Sequence, residues 1–157
     1  MTAPNWTYIF IHSLYLLGLA LWIGGSIALG AAAAPVLFGS LPRGQAGGLF
    51  GPILRRFARM RAVALMCILA GGGAKFALYE THAATIWIAL RWLAIAFLAI
   101  ELVYELGYQE RVMGALRQEM GPDADDPKRV EFGRMHVRAE RLMRASVLAA
   151  VLALVLS

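Results

Sequence analysis

The run over residues 86–111, IWIALRWLAIAFLAIELVYELGYQER, constrains the whole chain: it is apolar over the width of a membrane and yet carries Arg91, Glu101 and Glu105. A charge at the centre of a bilayer costs about 2.5–3.5 kcal/mol on insertion scales unless it is paired or reaches the interface. As an α-helix turning by about 100° per residue, the run puts Trp87, Arg91, Leu98, Glu101, Glu105 and Gln109 on one stripe. Its ionisable groups then face neighbouring helices, and its Ile, Leu and Phe face lipid. The neighbours must supply the countercharges.

Those neighbours are also membrane segments. The chain is 60% hydrophobic and 16% charged, with a mean hydropathy of +0.64, too apolar for a soluble domain of this size. Residues 6–37 contain no Lys, Arg, Asp or Glu. Lacking a basic n-region and exceeding a typical signal-peptide core, they read as an uncleaved first span over about 8–37, with Pro35 as a kink or stop. Gly18, Gly24, Gly25, Ser26 and Gly30 thin this helix for close packing. Residues 41–48 read as a turn, and LFGPILRRFARMR, 49–61, as a basic amphipathic helix before a second span over 62–79. The Gly71-Gly72-Gly73 run in that span is expected to face another backbone. ETHAAT, 80–85, connects to the third span, 86–108. After a polar loop, Asp126-Pro127 reads as an N-cap followed by proline at N1. The last helix is purely apolar only over 145–156, short of the roughly 20 residues a crossing needs. A fourth span over 138–157 must therefore draw charged residues into the membrane. The expectation is an all-α, polytopic four-helix membrane bundle forming a single domain. Cys67, the only cysteine, has no intramolecular disulfide partner and reads as a small core residue.

Charge orients the bundle. Of the 15 Lys and Arg, five lie between residues 43 and 61 and eight between 111 and 144, leaving Lys75 and Arg91. The positive-inside rule places both basic segments in the cytoplasm and both termini outside, as expected of a bacterial inner-membrane protein. It also explains the net charge of +5 without a nucleic-acid partner.

Depth then sorts the polar groups into two layers. At 1.5 Å per residue, His12, Lys75 and Arg91 lie about 6–11 Å above the midplane, with Tyr15 on the face of His12. Two cations and a histidine, with Glu80 the one acid nearby, suit an anionic lipid or haem propionates. Trp6, Tyr79, Trp87 and Trp92 would roof the site at the interface. Glu101 and Glu105 lie about 7 and 13 Å below the midplane, level with Arg144 and Arg141. The expected inner pairs are Glu101 with Arg144 and Glu105 with Arg141, structural in role.

The segments LALWIGGSIALGAAAAPVLF, AGGLFGPILRRFARM and EFGRMHVRAERLM resemble the transmembrane-protein-205-like family, four-helix membrane proteins of unknown function. The resemblance spans nearly the whole chain and rests on Trp22-Ile23-Gly24-Gly25, Ala34-Pro35-Val36-Leu37-Phe38, and Phe132 four residues before His136. Ala139 and Glu110-Arg111 depart from that family's usual Ser and Pro-Arg. The first-helix His, the Trp-and-Gly stretch and the basic residue in the third helix are more distantly similar to J-type protoporphyrinogen oxidases, which bind haem b, and to copper-resistance D-type membrane proteins.

The leading reading is a non-enzymatic binding bundle, or an accessory subunit beside other membrane subunits, with His12, Tyr15, Lys75 and Arg91 around an outer ligand. A haem-b redox protein with His12 as axial ligand is the alternative, without a second intramembrane histidine, since His82 and His136 fall outside the spans. A small ion or metal carrier using Glu101 and Glu105 is a third. No catalytic residue, metal site or nucleotide loop is assigned.

Overall fold

A computed structural model of the chain describes residues 5–81, 85–119 and 127–157, and among these the regular structure is entirely helical. Asn5 starts helix α1, Trp6–Ile27, by accepting a hydrogen bond from the Tyr8 amide at 3.2 Å. The rod continues through a π-helical stretch, Ala28–Ala33, and a last α-helical piece, Ala34–Ser40. Pro35 lacks an amide hydrogen and cannot join the regular ladder, so a widened turn just before it is physically reasonable. It neither stops the helix nor ends the span.

Helix α2, Arg43–Lys75, ends in a second π-helical stretch, Phe76–Glu80. The basic segment expected to precede the second span is continuous with it. Helix α3, Ile86–Tyr104, passes through a third π-helical stretch, Glu105–Gln109, into Glu110–Glu119. Helix α4, Pro127–Val155, starts at the expected proline; its expected cap, Asp126, lies outside the described residues. Three helices, Trp6–Ser40, Gly44–Glu80 and Ile86–Leu116, are long and apolar enough to cross a membrane, as in an integral membrane protein.

Asn5 bonds Tyr79 and Tyr15 bonds Ala153, so the start of α1, the far end of the α2 rod and the end of α4 share one end of the packed helices, called here the terminal end. The α1–α2 connection marks the opposite, loop end. Helices α1 and α2 approach each other backbone to backbone. A Cβ on Gly18 would meet the Ala64 carbonyl oxygen at 2.6 Å, and one on Gly71 would meet the Tyr15 amide at 2.7 Å. Only hydrogen fits at these two positions, which draws the backbones together. Gly24 and Gly30, also expected to thin the surface, have open space around them instead.

Tyr15, Leu19 and Trp22 of α1, Ala64 and Ile68 of α2, Ile95 and Leu98 of α3, and Ala150 and Ala153 of α4 fill the core. Leu17, Met66, Leu93, Ile100, Val103 and Leu148 point outward and are largely exposed. Large apolar side chains facing out over several helices, with charges inside, suit hydrocarbon as the surrounding solvent. On α2 the buried positions Phe57, Arg61, Ala64, Ile68, Gly71 and Lys75 recur every three or four residues. This inward stripe holds a cation near each end.

Candidate functional site: two buried charge clusters

Toward the loop end, all four helices meet at Arg61, whose residue surface is 1% exposed. Glu101 and Glu105 stand one turn apart on α3, about 6 Å along the axis, and take the two terminal nitrogens of one guanidinium. Nη2 donates to Glu101, and Nη1 donates to Glu105 at 2.5 Å. The Arg61 guanidinium carbon lies 4.2 Å from the centroid of the Trp22 ring of α1, a cation–π contact. Ser146 of α4 completes the cluster. Its hydroxyl accepts from Trp22 Nε1 and Arg61 Nη2, each at 3.4 Å, and donates to the Met143 carbonyl at 2.9 Å.

The expected inner pairs are therefore corrected. Glu101 and Glu105 share Arg61; Arg144 instead pairs with Glu140 four residues earlier on the solvent-facing side of its own helix, and Arg141 is exposed. The physical reason is azimuth. Arg144 and Arg141 have suitable depths, but Ser146, Ala150 and Ala153 form the inward face of α4. Arg61 has the depth as well, about 15 Å from Gly71 at 1.5 Å per residue, and it lies on the buried stripe of α2. Its membership of a basic segment conceals this in the sequence; its spacing from Ala64, Ile68 and Gly71 reveals it.

At the terminal end the structure brings Lys75 and Arg91 together on Glu80. Arg91 forks onto the Glu80 carboxylate, with one bond of 3.1 Å and a shorter one from Nη2, and Lys75 Nζ lies 3.4 Å from the same group. His12 is half-buried on α1. Its ring lies near those of Tyr8, 5.6 Å away, and Tyr15, 6.5 Å away, both nearly parallel to it. The Tyr15 hydroxyl, expected to serve the same ligand, is instead turned to α4 and donates to the Ala153 carbonyl at 2.8 Å. Trp6 and Trp87 are exposed, and Tyr79 bonds Asn5, tying the start of α1 to the end of α2. Trp92 is packed inward against Phe76.

The two clusters are oppositely unbalanced. The loop-end cluster sets two carboxylates against one guanidinium; the terminal-end cluster sets two cations against one carboxylate. Orphaned polar atoms accompany both, Arg61 Nε in the first and Arg91 Nε in the second; like His12 Nδ1, they are buried without a hydrogen-bond partner among the described residues. Both clusters can register helices, and each keeps a charge that an external group of opposite sign would satisfy. Among the described residues, no group of three or more His, Cys, Asp or Glu side chains is placed to hold a metal ion.

Comparison with known proteins assigns a family without an activity. No curated protein and no solved structure matches the chain. Residues 17–120 match the family model described as a domain of unknown function, DUF4149. The matched region runs from the middle of α1 past the helical piece Glu110–Glu119 that continues α3 and contains Trp22, Arg61, Glu101, Glu105, Lys75, Glu80 and Arg91. The chain belongs to that family.

Proposed function

We propose that this DUF4149 protein is a non-enzymatic membrane binding bundle or accessory subunit whose terminal-end cluster holds an anionic lipid headgroup in the outer leaflet. The observation that carries the reading is the donor excess around Glu80. One carboxylate faces Lys75 and Arg91, leaving a formal charge of about +1 by simple counting. Lys75 has three ammonium donors and is held loosely, at 3.4 Å. A phosphate at the interface accepts several hydrogen bonds and supplies the missing charge. The exposed indoles of Trp6 and Trp87 mark the headgroup level.

Orientation follows from the loop charges, with termini outside and the loop end in the cytoplasm of a bacterial inner membrane. Helix α4 completes a fourth crossing by packing its small inward residues against α1 and α3. The transmembrane-protein-205-like resemblance agrees with this plan.

The haem-b alternative fits the residues poorly. Axial ligation asks for a ring nitrogen facing a porphyrin, whereas His12 lies near the parallel rings of Tyr8 and Tyr15 and has an enclosed Nδ1. The groups expected on the propionates are both engaged with Glu80. The purified protein is expected to show no Soret band.

The lipid reading is tested by native mass spectrometry of protein extracted from vesicles of phosphatidylglycerol and phosphatidylcholine. Wild type should retain phosphatidylglycerol selectively. Lys75→Gln, which leaves Arg91 and Glu80 as a balanced pair, should lose that selectivity. Equal retention of both lipids by wild type, or unchanged selectivity in Lys75→Gln, would refute it.

A further inference from the structure

Between the loop-end portions of all four helices lies a cavity of about 410 Å³, within the range of small-molecule sites, roughly 300–1,000 Å³. Its walls are largely apolar, including Leu29, Phe38, Phe50 and Met143, and Glu101 and Glu105 enter its lining. Two π-helical stretches border it: Leu29 and Gly30 belong to Ala28–Ala33, and Glu105 and Gln109 bound the stretch in α3. Such turns widen a helix locally and recur at functional sites.

Charge gives the cavity a sign. Arg61 is the cation bonded to both carboxylates, so by formal counting the cluster has one carboxylate in excess. The other ion pairs around this region, Glu140 with Arg144 and Glu110 with Arg55, are each balanced. Glu105 is the accessible member, its side chain 24% exposed against 4% for Glu101. One turn from Gly30 on the stripe of Trp22, Ser26 is 4% exposed and its hydroxyl is unpartnered among the described residues. Gln109, His136 and Glu140 also line the cavity, but a bare metal ion needs several oxygen, nitrogen or sulfur donors converging on it, and among the described residues no three His, Cys, Asp or Glu side chains are so placed. A charge carried on an apolar body matches both features.

We infer that this cavity binds a lipophilic organic cation, an ammonium or phosphonium whose charge rests against Glu105 and whose apolar body packs against Phe38, Phe50 and Met143. The site is separate from the terminal-end cluster and stands without it. Gly30 lines the cavity, and a Cβ added there has nothing within 4 Å, so the first atom of a larger side chain is accommodated at the cavity wall.

Equilibrium dialysis of the full chain in phosphatidylcholine nanodiscs, with empty nanodiscs subtracted, tests this with radiolabelled tetraphenylphosphonium and with tetraphenylborate, an anion of the same shape. Wild type should show saturable phosphonium binding and no saturable borate binding. Glu105→Gln should weaken phosphonium binding at least tenfold, and Gly30→Phe should abolish it while lipid selectivity at the terminal end is kept. If Glu105→Gln fails to fold, Gly30→Phe decides alone, with its melting temperature as the control for folding. Saturable binding of both ions, no saturable binding of either, or undiminished binding in folded Gly30→Phe overturns the inference.

Discussion

Replacing Arg61 by alanine should do more damage than removing any cation on α4. Arg61 is 1% exposed and is bonded to Glu101, Glu105 and Ser146 while lying over Trp22. Its loss leaves Glu101, with a 4% exposed side chain, and a half-buried Glu105 without a countercharge. Breaking a buried pair by removing one partner costs about 3–5 kcal/mol, a large fraction of the roughly 5–15 kcal/mol that holds a typical domain. Arg144, by contrast, has a 76% exposed side chain and pairs with its helix neighbour Glu140. Its replacement by alanine should stay within about 0.5 kcal/mol of wild type. Reversible unfolding in mixed micelles measures both. Adding Glu101→Gln and Glu105→Gln to Arg61→Ala should recover part of the loss, because the stranded charges are then gone. A loss below about 1 kcal/mol for Arg61→Ala, a larger loss for Arg144→Ala, or no recovery in the triple variant would refute the cluster as the link between the helices.

Three further outcomes are expected. Gly71→Ala should lower stability by about 1–3 kcal/mol, since its Cβ would meet the Tyr15 amide at 2.7 Å, whereas Gly24→Ala, with open space around it, should be neutral or slightly stabilising; the same unfolding assay compares them. Tyr15→Phe should cost about 1 kcal/mol by deleting the bond to the Ala153 carbonyl, and cross-linking of introduced cysteines should show looser contact between α1 and the end of α4. A periplasmic reporter fused at the N-terminus and a cytoplasmic reporter inserted at Asp125 should both be active; the reverse pattern would overturn the orientation.

Helix order and the polar depths were legible because each depends on quantities that act locally. The rise per residue set His12, Lys75 and Arg91 level with one another, and the contrast between charged and apolar runs separated the rods. Partner choice was less legible because it depends on azimuth across helices. Arg144 and Arg141 had the depth to meet Glu101 and Glu105 but sit off the inward face of α4, while Arg61 has both depth and azimuth. Reading the arginines of residues 43–61 only as a topology signal hid the one that α2 carries inside. The π-helical stretches have no clear mark in composition apart from Pro35, and they reshape the register on which any stripe drawn over residues 101–113 depends. The Tyr15 hydroxyl shared a face with His12 in the sequence, but a phenol reaches far enough to leave that face for a carbonyl on another helix.

The short apolar stretch of α4 bears on biogenesis. The first three helices are long and apolar enough to partition from the translocation channel into lipid by themselves. The fourth carries Arg134, Arg138, Glu140, Arg141 and Arg144 close to its apolar part, and what awaits it is protein: the Tyr15 hydroxyl for the Ala153 carbonyl, and Trp22 and Arg61 for Ser146. All of those donors are synthesised earlier. The nascent chain should therefore insert in two stages, with α4 docking only after α1 and α2 have closed around Gly18 and Gly71. A product truncated before Pro127 should integrate into membranes during translation, while residues 127–157 fused to a carrier should not; autonomous insertion of that segment would show that lipid, and not the preceding helices, receives it.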